Sequence, residues 1–322
     1  MCFNVVAQPA FQRSNTDVGN IGLSVTNVGT TGRPNVRTDT QGPPSMEYPL
    51  NSGIEHLFEG GIWIGAIFEG QTAVSTATVD APSGYSTGGS GFEFSPSAGI
   101  KQRSTIPGSD HYSNSAVSHQ DFVTGFTDSF VIVPGTSIPI ADHRLPLKAS
   151  VHLEAYAWNF AFADYFVILN YKITNNSSSP WDSVYFGTWT DLVVRNVNVT
   201  QETGSAFFNK GGGGYIDSLY AVYAYQVMGD DIDFTGSYGA TLFLGVDYRG
   251  LYFHPNNSSN IYAAGYNPPS VRVISGHFAT LARALSLPRL MILNGTIKWL
   301  KASIFPIPQF SRHFEQHLTG HS

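Results

Sequence analysis

A single cysteine, Cys2, stands in a chain of 322 residues. One thiol excludes an internal disulfide framework and any site built from several thiolates. Charge is scarce as well: Asp, Glu, Lys and Arg together make up 12% of the residues, about half the usual share. Lys and Arg number 17 against 23 acids, for a net charge of −6. No basic stripe is available to neutralise phosphates, which argues against a nucleic-acid partner. The chain lacks a run of about 18 apolar residues, so no membrane-spanning helix is expected. No GxSxG elbow, Walker loop or GxGxxG fingerprint is present in context, and there is no HExxH pair.

What the chain does have is apolar and turn-forming. Hydrophobic residues reach 42% and aromatics 13%, with 33 Gly and 18 Pro. Global disorder is excluded, and many short strands with frequent turns are expected. Ile62 to Phe68 is continuously apolar and reads as a buried strand, entered after a break at Gly60-Gly61. Phe68-Glu69-Gly70-Gln71 reads as the turn of a hairpin. Residues 80–115 read as a long surface loop, and apolar clusters resume at 122–126 and 130–133. Tyr156, Trp158, Phe160 and Phe162 alternate with smaller residues, a period of two, and Ala163-Asp164 offers a turn into a second strand from Tyr165 to Thr174. Asn175 to Pro180 is a turn before a third strand at 184–189, and the three predict an antiparallel meander. Gly211 to Gly214 reads as a flexible loop, followed by strands at 220–227 and 240–246. The expected fold is all-β: an antiparallel β-sandwich of more than eight strands, or a curved double sheet, with long Gly/Ser/Asn-rich loops over residues 8–270.

Both ends differ from this body. Residues 1–7 read as a signal-peptide remnant, in which the apolar stretch from Cys2 to Val6 closes on the small residue Ala7; an ordinary first strand is the other reading. Residues 271–322 carry six Lys or Arg and the single acid Glu315, which reverses the acidic balance of the preceding chain. This tail is read either as a helical segment or as a shifted reading frame. Reading codons for 287–299 one base earlier permits the acidic string APADDLERYNKM.

Five phrases together carry a resemblance: PSMEYPLNSGIEHLFEGGIWIGAI, EFSPSAGIKQRST, SHQDFVTGFTD, AYAWNFAFADYFVILNYKITN and DSVYFGTWTDL. Over roughly residues 18–265 the chain resembles the N-terminal region of large secreted proteins of Bacteroidota, many of which end in a type IX secretion sorting domain. The resemblance implies a secreted or outer-cell-surface location and a β architecture, and it implies no reaction. A segment like PADDLERY commonly follows in that family, which agrees with the shifted frame.

Candidate sites are few. Asp230, Asp231, Asp233 and Thr235, with Gly236 for a sharp turn, place oxygen ligands on alternate loop residues, as a calcium ion requires. The resemblance suggests a DxDxDG loop in which Thr235 replaces the third acid. The twelfth position of an EF-hand, a Glu, is here Leu242, so that motif is absent, and a solvated Asp-rich turn is the plainer reading. Glu55, His56 and Glu59 read as surface polar residues beside a strand. His111, His119 and Asp121 share a loop without a recognisable zinc spacing. Trp63 and Trp158 read as core, whereas Trp181, after Pro180, and Tyr215, after the glycines, are candidate exposed aromatics for stacking on sugars. The expected function is a non-catalytic secreted or cell-surface module with a structural, adhesive or scaffolding role. A carbohydrate-binding module, with calcium assisting, and a secreted hydrolase are the alternatives. Cell-surface glycans or other surface proteins are the expected partners.

Overall fold

The computed structural model describes residues 8–32, 42–78, 92–199, 211–226 and 235–248, with short backbone segments beyond. The expectation of an all-β chain holds. In chain order the strands are β1 (Arg13–Asn15), β2 (Gly22–Thr26), β3 (Thr30–Gly32), β4 (Met46–Glu47), β5 (Ile54–Phe68), β6 (Gln71–Thr76), β7 (Ser95–Pro96), β8 (Lys101–Arg103), β9 (Gln120–Thr127), β10 (Ala149–Ala157), β11 (Val167–Asn175), β12 (Asp182–Asn196), β13 (Gly211–Ile216), β14 (Ala221–Gln226) and β15 (Tyr238–Leu242). The first sheet runs β1-β2-β3-β5-β12, with β4 and β6 beside β5, and short strands at Ala302–Pro306 and Arg272–Val273 continue it past β12. The second runs β11-β10-β9-β7 with β8 beside β9, and β13-β14-β15 form a third. In the second sheet β11 is an edge strand, paired with β10 over nine residues.

The strand β5 organises the first sheet. It is continuous for 15 residues through Gly60-Gly61, where a break is expected from sequence. Along its whole length it pairs with β12, while β4, β3 and β6 share its other edge. The glycines are there for proximity. A Cβ on Gly61 would lie 2.8 Å from Ala77 Cβ, and one on Gly60 would meet Thr190, Thr31 and the Trp189 carbonyl at 3.1 Å. At Phe58 the register slips, since Asp191 and Leu192 of β12 face Glu59 and Leu57. This bulge shifts the two-residue alternation by one. Leu57 and the even-numbered Ile62, Ile64, Ala66 and Phe68 therefore reach the same core. The hairpin to β6 turns through Glu69 (φ 50°) and Gly70 (φ 75°), both left-handed as a two-residue hairpin turn favours.

Phe94, Phe122, Phe126, Val151, Leu153 and Ala155 of the second sheet's segments join the same buried cluster as β2, β5 and β6. The expected meander is corrected here. The strands β10 and β11 do pair residue for residue, Ala149 with Asn175 through Ala157 with Val167. The next strand, β12, crosses to the first sheet and pairs with β5. Trp181 makes the crossing: it is buried, and its indole donates to the Leu147 carbonyl at 3.0 Å. The 130–133 cluster is likewise no strand, and Phe130, Val131 and Ile132 are exposed.

Several of the few acids are buried, contrary to the surface placement expected for Glu55, His56 and Glu59. Glu55 accepts from the Ser45 and Met46 amides at 2.9 and 3.0 Å, and Glu47 from Gly53 at 2.6 Å. Asp128 accepts from the Leu147 and Ala149 amides and the Ser75 hydroxyl, at 2.8, 2.6 and 2.6 Å. Burial pushes its carboxyl above the usual aspartate range, while Ser75, His143 and the two amides pull the other way. Asp128 thus clamps both ends of the 129–148 excursion to the sheet. Asp128→Ala leaves three donors without an acceptor and is expected to destabilise the fold by about 3 kcal/mol. Urea denaturation checks this, and a loss under about 1 kcal/mol would contradict the clamp.

The third sheet docks on β5 through His56. Its Nε2 lies 2.8 Å from the Ser237 hydroxyl, and its Nδ1 lies 3.3 Å from the Met46 carbonyl. Burial lowers its pKa below the ordinary 6.5, with backbone hydrogen bonds opposing. A depressed histidine contributes stability that is complete above the unfolded value and declines as pH falls below it. The urea midpoint is therefore expected to drop between pH 6.5 and the lowered folded pKa in the wild type, and His56→Gln should flatten that slope. Identical pH profiles for the two proteins would remove His56 from this account.

A candidate binding loop of exposed aromatics

Alternation predicted a strand through Tyr156, Trp158, Phe160 and Phe162. The structure ends β10 at Ala157 and turns the chain over residues 158–166. The Ala163 amide donates to the Phe160 carbonyl at 2.7 Å, closing a tight turn, and Ala163 itself is buried. The large side chains on either side of it are consequently turned outward. Phe160 is 46% exposed, Phe162 73% and Tyr165 55%. The rings of Phe160 and Phe162 stack at 5.4 Å with 8° between their planes. Tyr165 meets Phe166 edge-on at 5.6 Å, and Phe166 lies 6.0 Å from Trp158. Trp158, expected in the core, is half-buried at the base of this cluster.

The loop is held from two sides. On one, the Asn20 amide donates to the Asp164 carbonyl at 2.8 Å. Gly19 sits so close that a Cβ there would lie 2.4 Å from the Trp158 carbonyl oxygen. On the other, the Ala157 amide donates to the Ser118 hydroxyl at 3.1 Å and the Asn159 amide to His119 Nδ1 at 3.2 Å. The His119 ring then meets Phe160 edge-on at 4.5 Å. Buried Asp121 fixes that second anchor by accepting from the Val117 and Ser118 amides at 2.9 and 2.8 Å and from the Ser118 hydroxyl at 2.5 Å. Arg103 reaches Asp121 at 3.2 Å and Glu154 at 2.9 Å. Burial alone would raise the Glu154 carboxyl, but hydrogen bonds from Tyr156, Arg103 and His152 outweigh it and hold the group below its usual range. Tyr156 is pushed up to about 12 by burial and by Glu154. Charge-assisted bonds thus stiffen the floor under an apolar loop whose one charged residue is Asp164.

The residues singled out from sequence are not brought together. Asp230, Asp231 and Asp233 lie outside the described residues. Thr235 is buried; its amide donates to Gln226 at 2.8 Å and its hydroxyl pairs with Ser237 at 2.9 Å. Among the described residues no group of three or more His, Cys, Asp or Glu side chains could hold a metal ion. The exposed position expected for Trp181 is corrected, since the indole is core. Tyr215 is half-buried, on the face of β13 opposite to that of Gly214. His119 and Asp121 do act together, as a loop anchor, while His111 is exposed. No helix among the described residues is long and apolar enough to cross a membrane. Comparison with protein-family models, with curated proteins and with solved structures finds no match.

If Gly19 is needed for this close approach, Gly19→Ala should cost about 2 kcal/mol of stability and speed hydrogen exchange at Asn20. A variant with the parent's melting temperature and an unchanged Asn20 amide would show that the approach is not required.

Proposed function

We propose that the chain is a non-catalytic extracellular module, secreted or held at the outer cell surface, with an adhesive or scaffolding role. The observation that carries this reading is the outward aromatic loop at 158–166. Stacked phenylalanines displayed to water on a braced turn are costly to keep exposed and gain by being covered, which is the signature of a contact surface. The buried carboxylates support the same reading. Asp121, Asp128, Glu55 and Glu93 accept from backbone amides and hydroxyls, so these acids serve as structural clamps. The sequence resemblance and the signal-peptide reading of residues 1–7 support the extracellular location.

Beads carrying the covalently attached module should be retained by cell-envelope material, and the double variant Phe160→Ser with Phe162→Ser should reduce that retention at least tenfold. The same samples incubated with polysaccharide and protein substrates should release no product. Retention unaffected by the double variant, or measurable turnover, would overturn the reading.

A further inference from the structure

The glycine run 211–214, expected as a flexible loop, is strand β13, paired residue for residue with β14: Gly212 faces Tyr225 and Gly214 faces Tyr223. On the other side of β14, Tyr238 of β15 faces Tyr225 and Ala240 faces Tyr223. Strand alternation therefore places Tyr223, Tyr225 and Tyr238 on one face. The opposite face looks inward, since a Cβ on Gly239 would lie 2.8 Å from the His56 carbonyl of β5. The tyrosine face looks out. Tyr238 is 65% exposed, and its neighbours Ala240 and Leu242 are exposed too.

The three rings form one group. Tyr223 and Tyr225 lie 6.0 Å apart with 28° between planes, Tyr225 and Tyr238 5.5 Å with 33°, and Tyr223 and Tyr238 6.2 Å with 56°. Tyr223 lies across the bare backbone of β13: its hydroxyl and ring carbons come within 2.5–2.9 Å of where a Gly214 Cβ would stand. A side chain at Gly214 would lift that ring, so the glycine strand keeps the surface low and broad. From strand spacing and rise the face measures about 10 by 16 Å. No charged residue occurs among its outward positions on the three strands.

We propose that this tyrosine face is a binding platform for an uncharged polysaccharide. A sugar ring presents a flat C–H face that packs on an aromatic ring, and its hydroxyls can pair with phenolic hydroxyls at the ring edges. Among the described residues the outward positions of the three strands carry no charge, which matches a neutral chain and gives an anionic polymer no cation at those positions. The even, shallow relief made by the glycine strand suits an extended polymer lying across several rings. The platform is built from different strands than loop 158–166, so the two surfaces are separable by mutation.

The test uses the whole chain, depleted from solution by insoluble cellulose, chitin and xylan, with alginate gel as the anionic comparison. At least one neutral polymer should retain the protein and alginate should not. Tyr238→Ala, at an exposed position where folding is spared, should weaken retention about tenfold, and Tyr238→Phe should keep most of it. Near-ultraviolet circular dichroism confirms that each variant is folded. Failure of every neutral polymer to retain the protein, or retention insensitive to Tyr238→Ala, overturns the proposal. A concentration-dependent dimer in sedimentation that Tyr238→Ala abolishes would likewise overturn it, by assigning the face to a second copy of the chain.

Discussion

Everything in the first sheet depends on how closely β5 and β12 can approach their neighbours, and that approach is permitted by two adjacent glycines. Gly60 and Gly61 leave room for Thr31, Ala77 and Thr190 where any larger residue would push β3 or β12 away. The bulge at Phe58, just before them, then lets one strand supply both a carboxylate-rich segment and an apolar segment to the interior. Strand β5 is therefore the part on which the placement of the third sheet and the position of the shared core both rest.

The acids illustrate a second economy. A chain with little charge still buries Glu47, Glu55, Asp121 and Asp128, and each accepts from backbone amides that the irregular connections would otherwise leave without partners. Long loops cannot complete a ladder, so their amides need other acceptors. A carboxylate offers up to four lone-pair directions and can serve several donors at once. Desolvation is the cost, visible in the upward push on Asp128.

The overall β character, the hairpin at Glu69-Gly70 and the presence of an antiparallel strand pair joined by a turn near Ala163-Asp164 were legible because alternation and turn chemistry are local signals, whereas the bounds and register of that pair were not. The misreadings share a cause as well. Trp158, Phe160 and Phe162 keep perfect alternation in sequence, yet the buried Ala163 and the anchors at Asn20 and His119 bend the chain into a turn; those anchors come from far along the sequence. Gly211–Gly214 has no side chains to report a period, so its pairing with β14 was invisible. Trp181 follows a proline and looked exposed, but the chain crosses between sheets there and the indole fills the crossing. Glu55 and His56 look like surface residues until their partners at Ser45, Met46 and Ser237 are known. The aromatic loop could have been suspected from one signal: five large rings within residues 158–166 exceed what a two-stranded turn can bury.

The nine-residue edge of β11 has a bearing on crowding. Among the described residues no strand covers its outer side, and an uncovered strand invites a neighbour, another copy included, to extend the sheet. Lys172 lies within this strand, beside exposed Asn170 and Thr174. In any antiparallel self-pairing near its middle, two such ammonium groups would be brought close together with no acid on that strand to compensate. Lys172 thus disfavours pairing of this border with its own copy, whereas a strand of different sequence meets no such repulsion.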